Sequence, residues 1–385
     1  MSKEGRISSN VILLGIVSFI NDLSSEMIIP ILPMFIASLG GAGIAIGLIG
    51  GVRDSVTSLL KVVSGYISDK TGKRKALVFS GYLLSSVFKV LIAFSKIWHH
   101  VLLFIGLERV GKGIRDAPRD AIIAESMPEA KGKGFGIHRA FDTTGAILGS
   151  VVSFMLFWFM GLSFRSIIFI AAVIAFMSLI PMYFVKENDS RKKDITLKVT
   201  LLDLPKKLKM FLLISAIFSM ANFSYMFFIL KAQSLFHGKE AIATAILLYV
   251  LFNVFYAGLS IPFGQLSDKI GRKKVLLMGY ALFSLTSLGF AFLHSIFSYI
   301  LLFAFYGVVN AMIDANQRAF VSDLSKGYAR GTSLGAYHTI VGIVALPASI
   351  TAGAIWQFMP EATFLYGACI SAIAVIVFFA IRKKL

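Results

Sequence analysis

What this 385-residue chain has little of, first, is charge. Asp, Glu, Lys and Arg make up 15% of it against 57% hydrophobic residues, where soluble domains carry roughly 25% charged residues. A water-soluble chain of this length has no interior large enough to hide so much apolar surface, so a soluble globular fold is excluded. The short alternating segments of a transmembrane barrel are also missing. The apolar stretches are instead helix-length, near the roughly 20 residues that cross a bilayer, and they end in Gly, Pro or charge. The fold class is therefore an all-α membrane protein. Cysteine is nearly absent: Cys369 is alone, so no intrachain disulfide can form. The first 27 residues, MSKEGRISSNVILLGIVSFINDLSSEM, lack an A-x-A-like cleavage site. They run on to Pro30 and Pro33, so they are expected to be a retained first span.

Acidic residues are scarce too, 20 against 38 basic, for a net charge of +18. In a soluble protein such an excess points to nucleic acid; here its placement points to topology. Helices are expected near 10–37, 44–66, 76–94, 101–125, 135–158, 165–185, 210–232, 241–263, 276–293, 298–322, 331–355 and 362–381. Alternate connections are basic: Lys70, Lys73, Arg74 and Lys75; Lys131 and Lys133; Lys186 to Lys209; Lys269, Arg272, Lys273 and Lys274; Lys326 and Arg330. Lys3, Arg6, Arg382, Lys383 and Lys384 fall on the same side, and the opposite connections hold little beyond Lys96, Arg165 and Lys239. By the positive-inside rule both termini are expected in the cytoplasm of a multi-pass cell-membrane protein. Anionic lipid is an expected contact, and nucleic acid is not an expected partner.

The chain also contains itself twice. GYISDKTGKRK at 65–75 matches GQLSDKIGRKK at 264–274. Asp116-Ala117 is echoed by Asp314-Ala315, Ala121 and Glu125 by Ala319 and Asp323, Lys131-Gly132 by Arg330-Gly331, and Gly136 by Gly335. Three matched regions in one order, 198 or 199 residues apart, indicate duplication. Two six-helix bundles are expected, 1–188 and 210–385, joined by a polar linker at 189–209. Repeats of this kind place a solute site near the membrane midplane.

These motifs resemble those of major facilitator superfamily transporters, and the resemblance covers nearly the whole chain. The loop pattern G-x-x-x-D-[RK]-x-G-[RK]-[RK] is met by Gly65, Asp69, Lys70, Gly72, Lys73 and Arg74, and again by Gly264, Asp268, Lys269, Gly271, Arg272 and Lys273. The fourth-span pattern is met by Arg109 and Gly113, with Lys112 where glutamine is usual. The fifth-span antiporter pattern keeps Gly145 and Gly149 but has Ser150 in place of proline. The combination NDLSSEMIIPILP, ERVGKGIRDAPRDA and GFGIHRAFDTTG resembles a prokaryotic subgroup of unassigned substrate. The resemblance implies two pseudo-symmetric bundles that alternate access to a solute. It also implies a latch in which Arg74 pairs with Asp120 or Glu125. Physically, Gly65 suits a close helix contact, Gly72 a tight turn, and Asp69 a neighbouring helix N-terminus.

The densest charge lies at 108–125, ERVGKGIRDAPRDAIIAE. At about 100° per residue, Glu108, Arg109, Lys112, Arg115, Asp116, Arg119 and Asp120 fall within an arc of about 140°. Glu108 and Lys112 stand one turn apart, where opposite charges can pair. Charge within a membrane is costly unless paired or wet, and usually marks a pathway. The fourth span is thus expected to line a cavity. Asp22 and Glu26 share a face of the first span, and adjacent carboxylates influence each other's protonation. Arg53 and Asp54 sit midway along the second; His138, Arg139 and Asp142 open the fifth; Asp314 and Arg318 are one turn apart in the tenth. Arg53–Asp54 and Asp314–Arg318 read equally as structural ion pairs, and His138 as a hydrogen-bonded structural histidine. Arg109 and Lys112 suit attraction of an anion or control of a carboxylate's proton. The imbalance places coupling in the first half and cavity shape in the second.

Other chemistry lacks its residues. Gly106–Lys112 fits GxxxxGK, but Gly113 replaces the Ser/Thr and no strand precedes it, so it is no P-loop. His99-His100 has no Cys or carboxylate nearby in sequence to complete a metal site. No nucleophile constellation, cofactor motif or metal motif is present, so the chain is not expected to be an enzyme. The expectation is a monomeric secondary transporter moving a small organic solute, coupled to a proton or other ion, with efflux favoured. Uptake or facilitated transport of a small anion, and a transporter-like membrane sensor, are the alternatives.

Overall fold

The computed structural model describes residues 7–187, 204–325, 330–382 and 384. Among the described residues the chain is helical, with no strand. The helices are α1 (Ser9–Ile28), α2 (Leu32–Ser38), α3 (Gly43–Thr71), α4 (Arg74–Ala93), α5 (Trp98–Ser126), α6 (Lys131–Trp158), α7 (Phe164–Met177), α8 (Leu179–Phe184), α9 (Lys206–Ala221), α10 (Met226–Gln233), α11 (Gly238–Ile270), α12 (Arg272–Phe292), α13 (Ile296–Leu324), α14 (Arg330–Phe358) and α15 (Pro360–Ile381). Eleven helical segments are long and apolar enough to cross a membrane. The helix outside that set is α5, whose charges disqualify it by composition although it runs the length of a span. Counting α1 with α2, α7 with α8 and α9 with α10 as single crossings gives the twelve-helix architecture.

The helices outrun the apolar stretches at the basic side. Lys70 belongs to α3, Arg74 and Lys75 to α4, Lys131 and Lys133 to α6, and Lys269 to α11, where connections were expected. Polar residues end an apolar run without ending a helix. Helix α9 starts at Lys206, so the expected linker is shorter at its C-terminal end; its residues 189–203, and the basic residues Lys3, Arg6, Lys326 and Lys383, lie outside the described set. Pro118 does not interrupt α5, which continues to Ser126.

Contacts divide the chain into two compact units: Met1–Phe35 with Val56–Leu197, and Ile36–Ser55 with Lys198–Leu385. The start of α3 thus belongs to the second unit. In the first unit an apolar cluster joins α1 (Val11, Leu14, Val17), α4 (Val78, Tyr82), α5 (Ile122, Ile123) and the α8 end (Met182, Val185). Gly145 and Gly149 of α6 lie on Phe19 and Leu23 of α1; a Cβ on Gly145 would come within 2.5 Å of the Phe19 carbonyl oxygen. The glycines of the half-met antiporter pattern therefore bring two helix backbones together. The second unit is packed by rings: Phe228 stacks on Tyr306 at 4.2 Å, and Phe290 on Phe364 at 5.3 Å.

The two motif copies differ by one residue, and the turn explains it. In the first, Gly72 (φ 70°) and Lys73 separate α3 from α4; in the second, Gly271 (φ 96°) alone separates α11 from α12. Each following helix opens on an arginine, Arg74 or Arg272. The close contact expected at Gly65 is not seen: a Cβ there would meet that of Ala117 at an ordinary 3.4 Å, and one on Gly264 would meet nothing within 4 Å. Gly271→Ala is therefore expected to cost about 1–3 kcal/mol through its left-handed backbone. Gly264→Ala, inside a helix with open space, is expected to gain about 0.5–1 kcal/mol. Denaturant unfolding of both variants in detergent checks the contrast.

Candidate functional site

The charged face of α5 meets two different sets of neighbours in the first unit. Toward α4 the charges are buried and fixed. Arg115, 1% exposed, donates from Nη1 to Ser85 Oγ at 2.9 Å and lies 4.1 Å over the Tyr82 ring. Ser85 Oγ in turn donates to the Glu108 carbonyl at 3.0 Å. Glu108, 3% exposed, pairs with Arg109 at 2.8 Å, rather than with Lys112 as its one-turn spacing suggested. Charges buried like this need partners in a low-dielectric interior, and here hydroxyls and a carboxylate supply them.

Lys89 of α4 completes this layer, and the expected site residues did not include it. It is 2% exposed, and its Nζ donates to Ser24 Oγ at 3.0 Å and Ser25 Oγ at 2.9 Å on α1. Ser24 Oγ passes the chain on to the Ala171 carbonyl at 2.6 Å. Lys89 also lies within electrostatic range of Glu108 and Asp22. The signal was available: Lys89 is the one charge between Lys75 and Lys96.

Toward α1 and α6 the arrangement is looser. Ser18 Oγ donates to Asp142 Oδ1 in a short hydrogen bond. His138 Nδ1 lies 3.6 Å from Asp142 Oδ2, one turn earlier on α6. Asn21 Nδ2 reaches Asp22 Oδ1 at 3.4 Å. Asp22 is partly exposed, and its charge interacts with Asp142, Lys112, Arg115 and Arg119. Arg119 holds Asp120 at 3.0 Å and Asp116 at 3.8 Å. Glu26 is partly exposed one turn beyond Asp22, and Arg139 is exposed on α6. The expected sites of the first unit thus separate into a buried charged layer and a looser polar group in which Ser18, Asn21 and His138 surround Asp22 and Asp142.

The equivalent positions of the second unit keep the geometry without the charge. At the repeat offset, Arg119 becomes Gln317, Tyr82 becomes Tyr280, His138 becomes Tyr337 and Lys112 becomes Asn310. Gln317 Nε2 donates to Tyr280 Oη at 2.7 Å, and Tyr337 Oη donates to Gln317 Oε1 at 2.6 Å. What remains charged is the Asp314–Arg318 pair at 2.9 Å, with Tyr256 Oη donating to Asp314 at 2.8 Å. Arg53, from the start of α3, is buried and donates to Tyr225 Oη, while Asp54 beside it is exposed. Tyr225 sits in the break between α9 and α10, a break the apolar pattern did not reveal.

At the basic side each unit carries an arginine between two carboxylates. Arg74 pairs with Glu125 and, at 3.2 Å, with Asp69. Arg272 pairs with Asp323 at 2.6 Å and with Asp268 at 3.1 Å. Glu125, not Asp120, is the partner of Arg74. Asp69 does not cap a helix: Glu187 does, accepting from the backbone N–H groups of Arg74 and, at 3.0 Å, Lys75. A carboxylate at that N-terminus satisfies orphan donors and the helix dipole together. Lys75 Nζ donates to the Tyr183 carbonyl at 2.7 Å, and Lys273 Nζ to the Arg382 carbonyl at 3.3 Å. The duplication thus extends to how each post-motif helix is tied to the end of its unit. Among the described residues no group of three or more His, Cys, Asp or Glu side chains is placed to hold a metal.

Relatives agree with this architecture. The Major Facilitator Superfamily profile matches residues 14–249 and 211–384. An uncharacterized MFS-type transporter of Methanocaldococcus jannaschii is 55% identical over 375 residues, covering 96% of this chain and 94% of its own. The multidrug resistance protein MdtG of Rahnella sp. is 29% identical over 187 residues, 46% of this chain and 44% of its own. The nucleoside transporter NupG has the same fold at 15% identity, with a TM-score of 0.83 over 97% of this chain and 99% of its own. The POT family transporter PepTSo superposes at 13% identity with a TM-score of 0.81, covering 98% of each chain. With twelve crossings among its described residues, its duplicated arginine–carboxylate motif and these relatives, the chain belongs to the major facilitator superfamily.

Proposed function

We propose that this chain is a proton-coupled secondary transporter of the cell membrane, with cytoplasmic termini, that exports a small organic solute by alternating access. The carrying observation is the group formed by Asp22, Asp142, His138 and Lys112 in the first unit, set against the uncharged Tyr337 and Asn310 at the equivalents of His138 and Lys112 in the second. A carboxylate that shares its surroundings with an ammonium and a second carboxylate can exchange one proton and so alter the charge of the pathway. The buried layer of Lys89, Glu108, Arg109 and Arg115 holds α1, α4 and α5 in register beneath it. Arg74–Glu125 and Arg272–Asp323 act as latches that part and re-form as access alternates. The partial match to multidrug resistance proteins supports efflux. Uptake of a small anion is the second reading, favoured by Arg53, a buried cation on the second unit.

Flux into and out of proteoliposomes, measured with and without a pH gradient across a library of organic solutes, tests this. Solute accumulation driven by the gradient is expected. Saturable binding with no flux of any solute overturns the transport reading, and flux indifferent to the gradient overturns proton coupling.

A further inference from the structure

Three helix ends of the second unit meet at its basic side around one cluster of rings. The buried Phe378 of α15 lies 6.1 Å from Phe211 of α9 and 6.0 Å from Tyr280 of α12. Lys207 stands one turn before Phe211, Lys273 two turns before Tyr280 and Arg382 one turn after Phe378. Helices α9 and α12 begin at this side and α15 ends there, so the three cations extend from the cluster toward the same end. Lys273 and Arg382 already touch, the Lys273 Nζ donating to the Arg382 carbonyl. Lys207 and Arg382 are exposed, and Lys273 is half-buried. Among the described residues no Asp or Glu pairs with any of the three; Asp268 and Asp323 are both held by Arg272. The first unit differs, because there Glu187 brings a carboxylate to the start of α4.

Next to these cations the outer face of α15 is apolar and open. Ile373, Ile376 and Phe379 follow one another at i, i+3 and i+6 and share a face, and each is exposed. The Arg382 guanidinium lies 3.5 Å from the Phe379 ring centroid. An arginine resting on the last ring of a hydrocarbon-facing stripe holds its charge at headgroup depth, and its planar fork suits two oxygens of a phosphate. Basic groups between the ends of spanning helices recognise acidic headgroups. Cations without a carboxylate partner at the end of an apolar stripe complement a molecule with an anionic head and apolar tails. We infer that Lys207, Lys273 and Arg382 bind the phosphate of an anionic phospholipid, with one acyl chain along Ile373, Ile376 and Phe379. None of these residues belongs to the coupling group around Asp22, so the site stands whether or not the chain couples to protons.

The test uses the purified full-length chain in a neutral detergent, with dioleoylphosphatidylglycerol as probe and dioleoylphosphatidylcholine as comparator. Bound lipid is read by native mass spectrometry. The anionic lipid is expected to bind roughly a hundredfold more tightly than the zwitterionic one, given three basic residues at its headgroup. Lys207→Gln combined with Lys273→Gln and Arg382→Gln is expected to remove most of that preference. Lys70→Gln combined with Lys73→Gln and Lys131→Gln, which removes three exposed cations of the first unit, is expected to keep it. Lys207→Arg with Lys273→Arg, which keeps every charge, is expected to bind as the wild type does. Equal affinity for the two lipids overturns the inference. So does an equal loss from both glutamine triples, which would show attraction to basic surface in general. Loss of the lipid from the arginine variant overturns it as well, since packing rather than charge would then decide binding. Inorganic phosphate at the concentration of the lipid is expected to displace none of it; displacement would make this an anion site and strike the phospholipid.

Discussion

Asp22→Asn is expected to collapse gradient-driven accumulation of solute while leaving solute exchange across the membrane in place. Asparagine keeps the shape of aspartate but cannot take up a proton. One proton coupled to one solute converts each pH unit, about 1.4 kcal/mol, into a tenfold concentration ratio. In a gradient of about two units, the steady-state ratio is therefore expected to fall from on the order of 10² toward 1. Asp22 is the group to remove because its charge meets that of Asp142 on α6 and of Lys112, Arg115 and Arg119 on α5. Asp142, by contrast, is already held by Ser18 and lies beside His138. Accumulation by the Asp22→Asn variant at the wild-type level would falsify coupling through this carboxylate. Loss of exchange along with accumulation would instead make Asp22 part of the solute site.

The repeat gives this prediction a built-in comparison. Both units place a tyrosine of the third helix of the repeat, Tyr82 or Tyr280, among polar residues of the next two helices. In the first unit those residues are ionisable, with Arg119 in electrostatic range of Tyr82 and of His138. In the second they are Gln317, which donates to Tyr280, and Tyr337, which donates to Gln317, both in neutral hydrogen bonds. Neutral bonds satisfy the same buried positions, so packing alone does not require charge there. The second copy keeps the Asp314–Arg318 pair but has Gln317, Tyr337 and Asn310 where the first has Arg119, His138 and Lys112, an asymmetry that fits the coupling proposed for the first copy.

Spans and duplication were legible because each leaves a local mark: an apolar run, a repeated string. The Arg74 pairing was implied only by the family resemblance, which left Asp120 and Glu125 both open until the structure showed Glu125. Helix ends were misjudged because Lys70, Lys131 and Lys269 are good helix formers that apolarity does not detect. The α5 stripe was legible as a face but not as a division of labour. An arc of about 140° is wide enough for α4 to take one edge and α1 with α6 the other, and only tertiary packing says which charge goes where. Glu187 was invisible for a related reason: it caps α4 from more than a hundred residues away. Arg272 shows a subtler limit. String alignment pairs Arg74 with Lys273, whereas the turn at Gly271 is shorter by one residue and makes Arg272 the first residue of its helix.

That division of α5 carries the largest expected stability effect. Glu108 is the carboxylate whose charge couples to Arg109, Lys89, Arg115 and Lys112, and its side chain is nearly inaccessible. Glu108→Gln keeps the volume but leaves those cations without their counter-charge. Removing one partner of a buried ion pair costs about 3–5 kcal/mol. Glu125→Gln removes the same kind of group from Arg74, but Glu125 is 42% exposed, and water screens such a loss to about 0–1 kcal/mol. Denaturant unfolding in a mild detergent is therefore expected to separate two chemically identical substitutions by several kcal/mol. Adding Arg109→Met to Glu108→Gln is expected to restore part of the loss, since it removes the cation left most exposed to the missing charge, while Lys89 and Arg115 keep their serine partners. Equal unfolding midpoints for Glu108→Gln and Glu125→Gln would mean that the charges of α5 are wet in the membrane-embedded protein, and that its whole face lines the path.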